Sequence, residues 1–295
     1  MNILLTGASG FVGKNLMRIL LTNGHSVMAC SHKNDQPRDA MNNTHHQQIQ
    51  IDFMQMHKPE DWFAHLNKVD VVINTVGIIA ETKSQIFEHL HTLAPVSLFK
   101  ACEQKGIKRV IQISALGADK TAITPYHLSK KLADDALKKM DLDWFILRPS
   151  LIEGEGGESY AFFKKLSNLP IIILLGDGKQ LIQPIDIKEV SATVLRCLAK
   201  DVAARQTIDL VGEQAISYKD WMMSLRTRTY PARFLTVPMS LMMQLAKVGK
   251  YINLALLNPD SLTMLKQNNV ASRRGLEVFI NTKKVELGQA EEVAQ

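Results

Sequence analysis

Apolar residues come in short, nearly uninterrupted runs along the first half of the chain, at 2–5, 25–31, 69–75, 109–114 and 142–148. Runs of this length with little alternation read as strands buried on both faces of a sheet. Between them, 15–23, 87–106 and 126–139 carry apolar residues at helical spacing, with Gly24 and Gly106 placed as C-caps. A weaker run at 48–51, ending at Asp52, fits a third strand. Strand and helix alternate at the interval of right-handed βαβ units. The pattern therefore predicts an α/β fold, a doubly wound parallel sheet whose ligands sit at the carboxyl ends of its strands. Thr6, Asn74 and Ser114 all fall there.

The opening stretch, MNILLTGASGFVGKNL, joins the first strand to a helix through Gly7, Gly10 and Gly13. Glycines at such a joint let the backbone turn tightly, approach a pyrophosphate and pack the helix on the sheet. The helix N-terminus adds free N–H groups and the positive end of its dipole. After the second strand, an acidic residue would hold the ribose 2′-hydroxyl of NAD, whereas basic residues accept the 2′-phosphate of NADP. The chain offers Ser31, His32 and Lys33, with Asp only at position 35, which favours NADP(H) over NAD(H).

Composition narrows the function classes. The 295 residues carry a formal charge of +6 with dispersed Lys and Arg, so no basic run points to nucleic acid. Cys30, Cys102 and Cys197 are far apart and follow no metal-ligand spacing, which fits reduced thiols and no metal site. With a strand from residue 2 and no uncharged apolar run of about 18 residues, neither a signal peptide nor a spanning helix is expected, and a cytoplasmic location follows.

Tyr126-His-Leu-Ser-Lys130 places a phenol and an ammonium at i and i+4 on one helical face. A free phenol has a pKa of about 10, and a nearby ammonium lowers it toward useful proton exchange. Ser114, at a strand end, can offer its hydroxyl to a carbonyl as charge develops.

T-G-x-x-G-x-x-G followed by this Ser and Y-x-x-x-K resembles the short-chain dehydrogenase/reductase superfamily, especially its extended and atypical members. The resemblance implies a Rossmann-type domain over 1–150 and a smaller, discontinuous substrate domain over 151–295, with a segment at about 181–212 returning to the sheet. It implies that Thr6, Gly7, Ser9, Gly10, Phe11, Val12 and Gly13 surround the diphosphate, and that His32 and Lys33 meet the adenosine ribose. Asp52 and Phe53 would lie beside the adenine, and Asn74, Val76 and Gly77 would form the N-A-G type turn under the cofactor. Lys130 would also hold the nicotinamide ribose with Tyr126, while Arg148 and Pro149 open the R-P-x-x-x-x-G segment, ending at Gly154, that covers the nicotinamide. His91 takes the place of an Asn that relays protons in active members.

In the second half, the sequence predicts helices at 160–169 and 186–200, an apolar strand at 171–175, a late strand at 207–211 and a helix capped by Ser217. Residues 239–257 are apolar and interrupted by Lys247 and Lys250, which suits a substrate-covering or interfacial helix. Pro259 to Val270, with Ile78-Ile79 and Ser114-Ala-Leu-Gly117, resembles one branch, the nucleotide-binding accessory subunit of respiratory complex I and its bacterial homologues. Two readings stay open. One is an oxidoreductase or epimerase in which Tyr126 is acid and base, Lys130 its tuner and Ser114 a carbonyl donor. The other is a non-catalytic NADPH-binding accessory protein, peripheral on the inner face of a membrane and part of a respiratory complex. The substrate is unidentified, and homodimer formation is open.

Overall fold

The computed structural model describes residues 1–32, 46–238, 240–242, 244 and 259–281. Its first half supplies strands β1 (Asn2–Thr6), β2 (Ser26–Ser31), β3 (His46–Gln50), β4 (Val71–Asn74), β5 (Arg109–Ile113) and β6 (Asp143–Pro149). The second half adds β7 (Ile152–Glu153), β8 (Ile171–Leu175), β9 (Leu181–Ile182), β10 (Ile185–Asp186), β11 (Gln206–Leu210), β12 (Ile216–Ser217) and β13 (Arg233–Val237). Seven strands form one parallel sheet in the order β11-β6-β5-β4-β1-β2-β3. The chain steps outward in both directions from the β1/β4 pair, so the switch point, where a crevice opens at the strand ends, lies between them. β3, HQQIQ, is the polar edge of the sheet and starts two residues before the expected strand.

Helices cover both faces, as a doubly wound sheet requires. α1 (Phe11–Thr22) precedes the single turn α2 (Pro59–Trp62), α3 (Ala94–Lys105), α4 (Pro125–Leu137), α5 (Glu158–Ser167), α6 (Ile187–Cys197), α7 (Tyr218–Ser224) and α8 (Pro259–Lys266). Leu16 and Leu20 of α1, Val190 and Val194 of α6, and Leu276 and Phe279 near the end of the described chain pack one face. Leu98 and Phe99 of α3, Ala133 and Leu137 of α4, and Trp62 pack the other. The helix expected over 87–106 divides: residues Glu88–Leu93 wind as a π-helix before α3 begins. Pro95 has no N–H to return to the His91 carbonyl, so the regular ladder cannot run through it. Gly106, at φ +74°, ends α3 as expected.

The chain returns to the sheet as β11 on β6, with β10 bridging β7. A separate apolar cluster of Phe163, Ile172, Leu174, Tyr218, Trp221 and Met222 joins α5, β8 and α7. Among the described residues β8 pairs only with β13. Most of the apolar stretch at 239–257 lies outside the described residues. Among the described residues no helix is long and apolar enough to cross a membrane. All three cysteines are buried, and burial pushes the Cys30 thiol up to about 12.

Candidate functional site

The glycine joint is cut to the backbone. Gly7 sits at φ +71°, and a Cβ there would meet Thr75 Oγ1 at 2.7 Å. A Cβ on Gly13 would fall 2.2 Å from the Gly7 carbonyl oxygen, with no flexible side chain to give way. The first intrahelical bond runs from Lys14 N to Gly10 O, so the amides of Phe11, Val12 and Gly13 stand free at the positive end of α1. The glycines let the turn and the first helical turn pack this closely, and the free amides at the start of α1 fit a diphosphate. Gly13→Ala is expected to destabilise the fold by about 1–3 kcal/mol through overpacking, and to weaken retention of a copurified dinucleotide. Thermal melting and the absorbance of bound cofactor read both.

Beside this loop, three polar side chains run across neighbouring strand ends in register. Thr6 Oγ1 donates to Asn74 Oδ1 at 2.6 Å, and Asn74 Nδ2 donates to Gln112 Oε1 at 2.7 Å. Val76 N also donates to Asn74 Oδ1, at 3.3 Å, which fixes the turn after β4. Thr75 Oγ1 ties that turn to β1 by donating to the Thr6 carbonyl at 2.7 Å. Thr6 and Asn74 thus support the site from beneath, both fully buried.

α4 is capped by Thr124, whose Oγ1 accepts from His127 N, with Pro125 at the first helical position. Tyr126 and Lys130 then share a face. Lys130 Nζ donates to the Val76 carbonyl at 3.2 Å and the Ile113 carbonyl at 3.3 Å, which holds it over the ends of β4 and β5. A Cβ on Gly77 would lie 2.9 Å from that nitrogen, so the glycine turn makes room for the ammonium. Burial lowers Lys130 to about 8, against the opposing pull of Asp134.

In the cofactor-free chain the Tyr126 phenol is not lowered. The ammonium is engaged by carbonyls, and burial pushes the phenol up to about 12. Its ring meets Phe87, His91 and His127 edge-on, at centroid distances of 5.9, 5.5 and 5.3 Å. His91 is spoken for as well. Its Nε2 accepts from Ile78 N at 3.0 Å, so its Nδ1–H donates to Ser129 Oγ at 2.9 Å, and Ser129 Oγ donates on to the Tyr126 carbonyl. Burial, then the Lys130 charge, hold the imidazole well below its ordinary value, hence neutral. The ring braces the base of Tyr126 and leaves no nitrogen for a proton relay.

Two further expectations are redirected by one residue. Ser114 Oγ donates to Asp134 Oδ2 at 2.8 Å, so its only proton faces the protein interior. Arg148, expected over the nicotinamide, reaches the same oxygen through Nε at 3.3 Å and Nη2 at 3.2 Å. Pro149 is an ordinary residue of β6 whose carbonyl accepts from Leu116 N. Asp134 is fully buried, and burial raises it to about 6 despite Ser114 and Arg148. Sequence reasoning missed it, although positions 126, 130 and 134 repeat at one helical interval.

At the adenosine end, His32 Nδ1 lies 3.5 Å from Asp52 Oδ1, both exposed, while Lys33 lies outside the described residues. Asp52 caps the turn that follows by accepting from Met54 N. Phe53 is corrected from a cofactor contact to core: its ring is 5% exposed and meets Trp62 edge-on at 5.1 Å. Gly154 and Gly157 bring the strap after β6 down on Phe11, where their Cβ atoms would come within 3.1 and 3.2 Å of its ring.

Residues 7–171 match the protein-family model described as NAD(P)H-binding. Among curated proteins, the chain is 30% identical over 208 residues to the mitochondrial NADH dehydrogenase (ubiquinone) 1 alpha subcomplex subunit 9 of Arabidopsis thaliana, covering 66% of this chain and 49% of that one. It is 23% identical over 183 residues to the ceramide reductase of Caulobacter vibrioides, covering 61% and 55%. The chain thus spans about half the length of these relatives. Among solved structures, the UDP-glucuronic acid 4-epimerase of Bacillus cereus in complex with NAD superposes with a TM-score of 0.66 at 19% identity, over 90% of this chain and 100% of that one.

Proposed function

The chain belongs to the family described as NAD(P)H-binding, and from that premise we propose that it is an oxidoreductase or epimerase of the short-chain dehydrogenase/reductase type, acting at a carbonyl or carbinol carbon. The observation that carries this reading is the placement of Tyr126 and Lys130 on one face of α4, with Lys130 Nζ against the carbonyls of Val76 and Ile113 at the strand ends. Gly7, Gly10 and Gly13 with the α1 amides would hold the diphosphate, and the third Lys130 proton is left for the nicotinamide ribose. When bound, the nicotinamide gives or takes the hydride. In the reducing direction Tyr126 Oη delivers a proton to the substrate oxygen. Lys130 sits one helical turn away to stabilise the phenolate that remains. Ser114 joins as a donor once its hydroxyl turns from Asp134 to the substrate.

The test is Tyr126→Phe, assayed for hydride transfer against a panel of carbonyl compounds with bound dinucleotide measured in parallel. Lost transfer with cofactor retained supports the enzyme. An unchanged rate sinks it.

The second reading is an accessory protein in which the same residues only hold the dinucleotide, within or beside a respiratory complex. The subunit 9 relatives favour it, and so do Ser114 and Lys130, both already hydrogen-bonded inside the protein. Under that reading Tyr126→Phe leaves every activity and phenotype intact.

The cofactor proposed is NADP(H). Ser31 and His32 put no acid at the end of β2 itself, and His32 would turn from Asp52, 3.5 Å away, to meet a 2′-phosphate. NADPH is expected to bind more tightly than NADH by about tenfold or more, the worth of one charge-assisted contact. His32→Asp with Lys33→Ala should erase the difference in a titration of both cofactors. Equal affinities in the unmodified protein refute the choice.

A further inference from the structure

We infer that Glu153 and Trp221 are a pair of positioning residues for the dinucleotide: their hydrogen bond ties the strap after β6 to the separate cluster of α5, β8 and α7, so that cofactor affinity depends on that cluster. The inference rests on the reading that a dinucleotide lies on the α1 amides. At its root the strap is held by the main sheet and the segment that returns to it. Ser150 N donates to the Leu210 carbonyl at 2.9 Å, and Ser150 Oγ donates to the Gln183 carbonyl at 2.6 Å. Ile152 and Glu153 then pair in parallel with Ile185 and Asp186. Beyond them the strap is fitted around one ring. A Cβ on Gly154 would stand 2.6 Å from Ile187 Cγ2 and 3.1 Å from the Phe11 ring, and one on Gly157 would stand 3.2 Å from the same ring. Phe11 opens α1, and its amide is one of those left for the diphosphate. The strap therefore rests on a residue that would carry the phosphates.

Glu153 joins the same strap to the second half of the chain. Its Oε1 accepts from Trp221 Nε1 at 2.5 Å. Trp221 is 1% exposed, with its ring 5.1 Å from that of Phe163 and 6.2 Å from that of Tyr218, so packing fixes the indole. A buried indole N–H needs an acceptor. A backbone carbonyl would suffice, yet here a carboxylate of the strap serves, in a charge-assisted bond about twice as strong as a neutral one. α5 is capped by Gly157, where the strap ends, and brings Phe163 into the same cluster. A shift of the cluster thus reaches the strap at two points, Glu153 and Gly157, on either side of its contact with Phe11. Such coupling is reciprocal: whatever moves the cluster changes dinucleotide affinity, and dinucleotide binding is felt at Trp221.

The test titrates NADPH into the full chain, Glu153→Ala, Trp221→Phe, their double variant and Glu153→Gln, with thermal melts alongside. Glu153→Ala and Trp221→Phe are each expected to weaken binding by about fivefold or more, the share of a charge-assisted hydrogen bond that reaches the cofactor. The double variant should bind no more weakly than the worse single one, because both remove the same interaction. Glu153→Gln keeps an acceptor for the indole and should bind within about twofold of the parent. In magnetic resonance spectra of the isotope-labelled chain, the indole N–H signal absent from Trp221→Phe should shift when NADPH is added to the parent, and stay in place in Glu153→Ala. Lower melting temperatures with unchanged affinity would reduce the pair to a packing contact and overturn the inference. Losses that add in the double variant, or an indole signal in the parent that ignores NADPH, overturn it too. A parent that binds neither NADPH nor NADH fails the dinucleotide reading itself, whereas a parent that binds beside indifferent variants fails this inference alone.

Discussion

Tyr126→Phe is expected to lower turnover by about 10²- to 10⁴-fold, the usual worth of a positioned acid or base, while leaving dinucleotide affinity within a factor of a few. The two readouts separate because the phenol makes no hydrogen bond among the described residues, whereas its ring fills a cage of Phe87, His91 and His127 that phenylalanine fills equally well. Under the proposed enzymatic role, the cofactor-facing work falls to Lys130. Lys130→Met should therefore cost both turnover and cofactor, and its loss of binding marks the ammonium as a ribose contact. The resting phenol, at about 12, is a weak proton donor, and Lys130, at about 8, keeps its proton at neutral pH by a narrower margin than an exposed lysine. Bound anionic cofactor would stabilise the ammonium and, through it, the phenolate. Stopped-flow transfer rates with preloaded cofactor, compared between the two variants, check this division of labour. Equal losses of binding in both variants would contradict it.

Much of this was legible in the chain. β1, β4 and β6 carry unbroken apolar runs at their centres, Ile3–Leu5, Val71–Ile73 and Trp144–Leu147, because helices cover both faces of the sheet. The glycine spacing marked the tight joint between β1 and α1, because a Cβ at Gly13 would fall 2.2 Å from a backbone oxygen. What spacing could not reveal were choices made across long sequence separations. Ser114 turns to Asp134, twenty residues on, and Arg148 follows it there, since a buried carboxylate with an open oxygen competes for every nearby donor. Lys130 likewise settles on carbonyls of β5 and the β4 turn that no local pattern connects to it. Phe53 was misread for the opposite reason: its neighbour Asp52 lies at the strand end, but the ring turns under to Trp62 to escape water.

The same buried carboxylate yields the largest stability effect. Arg148→Met is expected to destabilise the protein by about 3–5 kcal/mol at neutral pH, because removing one partner of a buried pair leaves the other charge uncompensated. Asp134 has no exposed surface, and its Oδ1 already lacks a partner, so only the Ser114 hydrogen bond and the Lys130 charge would remain to hold the carboxylate. The pH dependence gives the sign. Asp134 is raised above its ordinary 3.8 to about 6 with Arg148 in place, chiefly by burial. A group raised on folding favours the folded state fully below its unfolded pKa, and that advantage is lost as pH rises through the folded one. In Arg148→Met the folded value moves higher still, so the variant should regain stability as pH falls from neutral toward 5, where most proteins gain none. Asp134→Leu added to Arg148→Met should restore much of the loss at pH 7, since an apolar pair of similar bulk leaves no charge to solvate. Denaturant melts of the two single variants and the double, at pH 7 and pH 5, complete the cycle. A single variant no less stable at pH 7 than the parent would mean that water, rather than Arg148, neutralises Asp134.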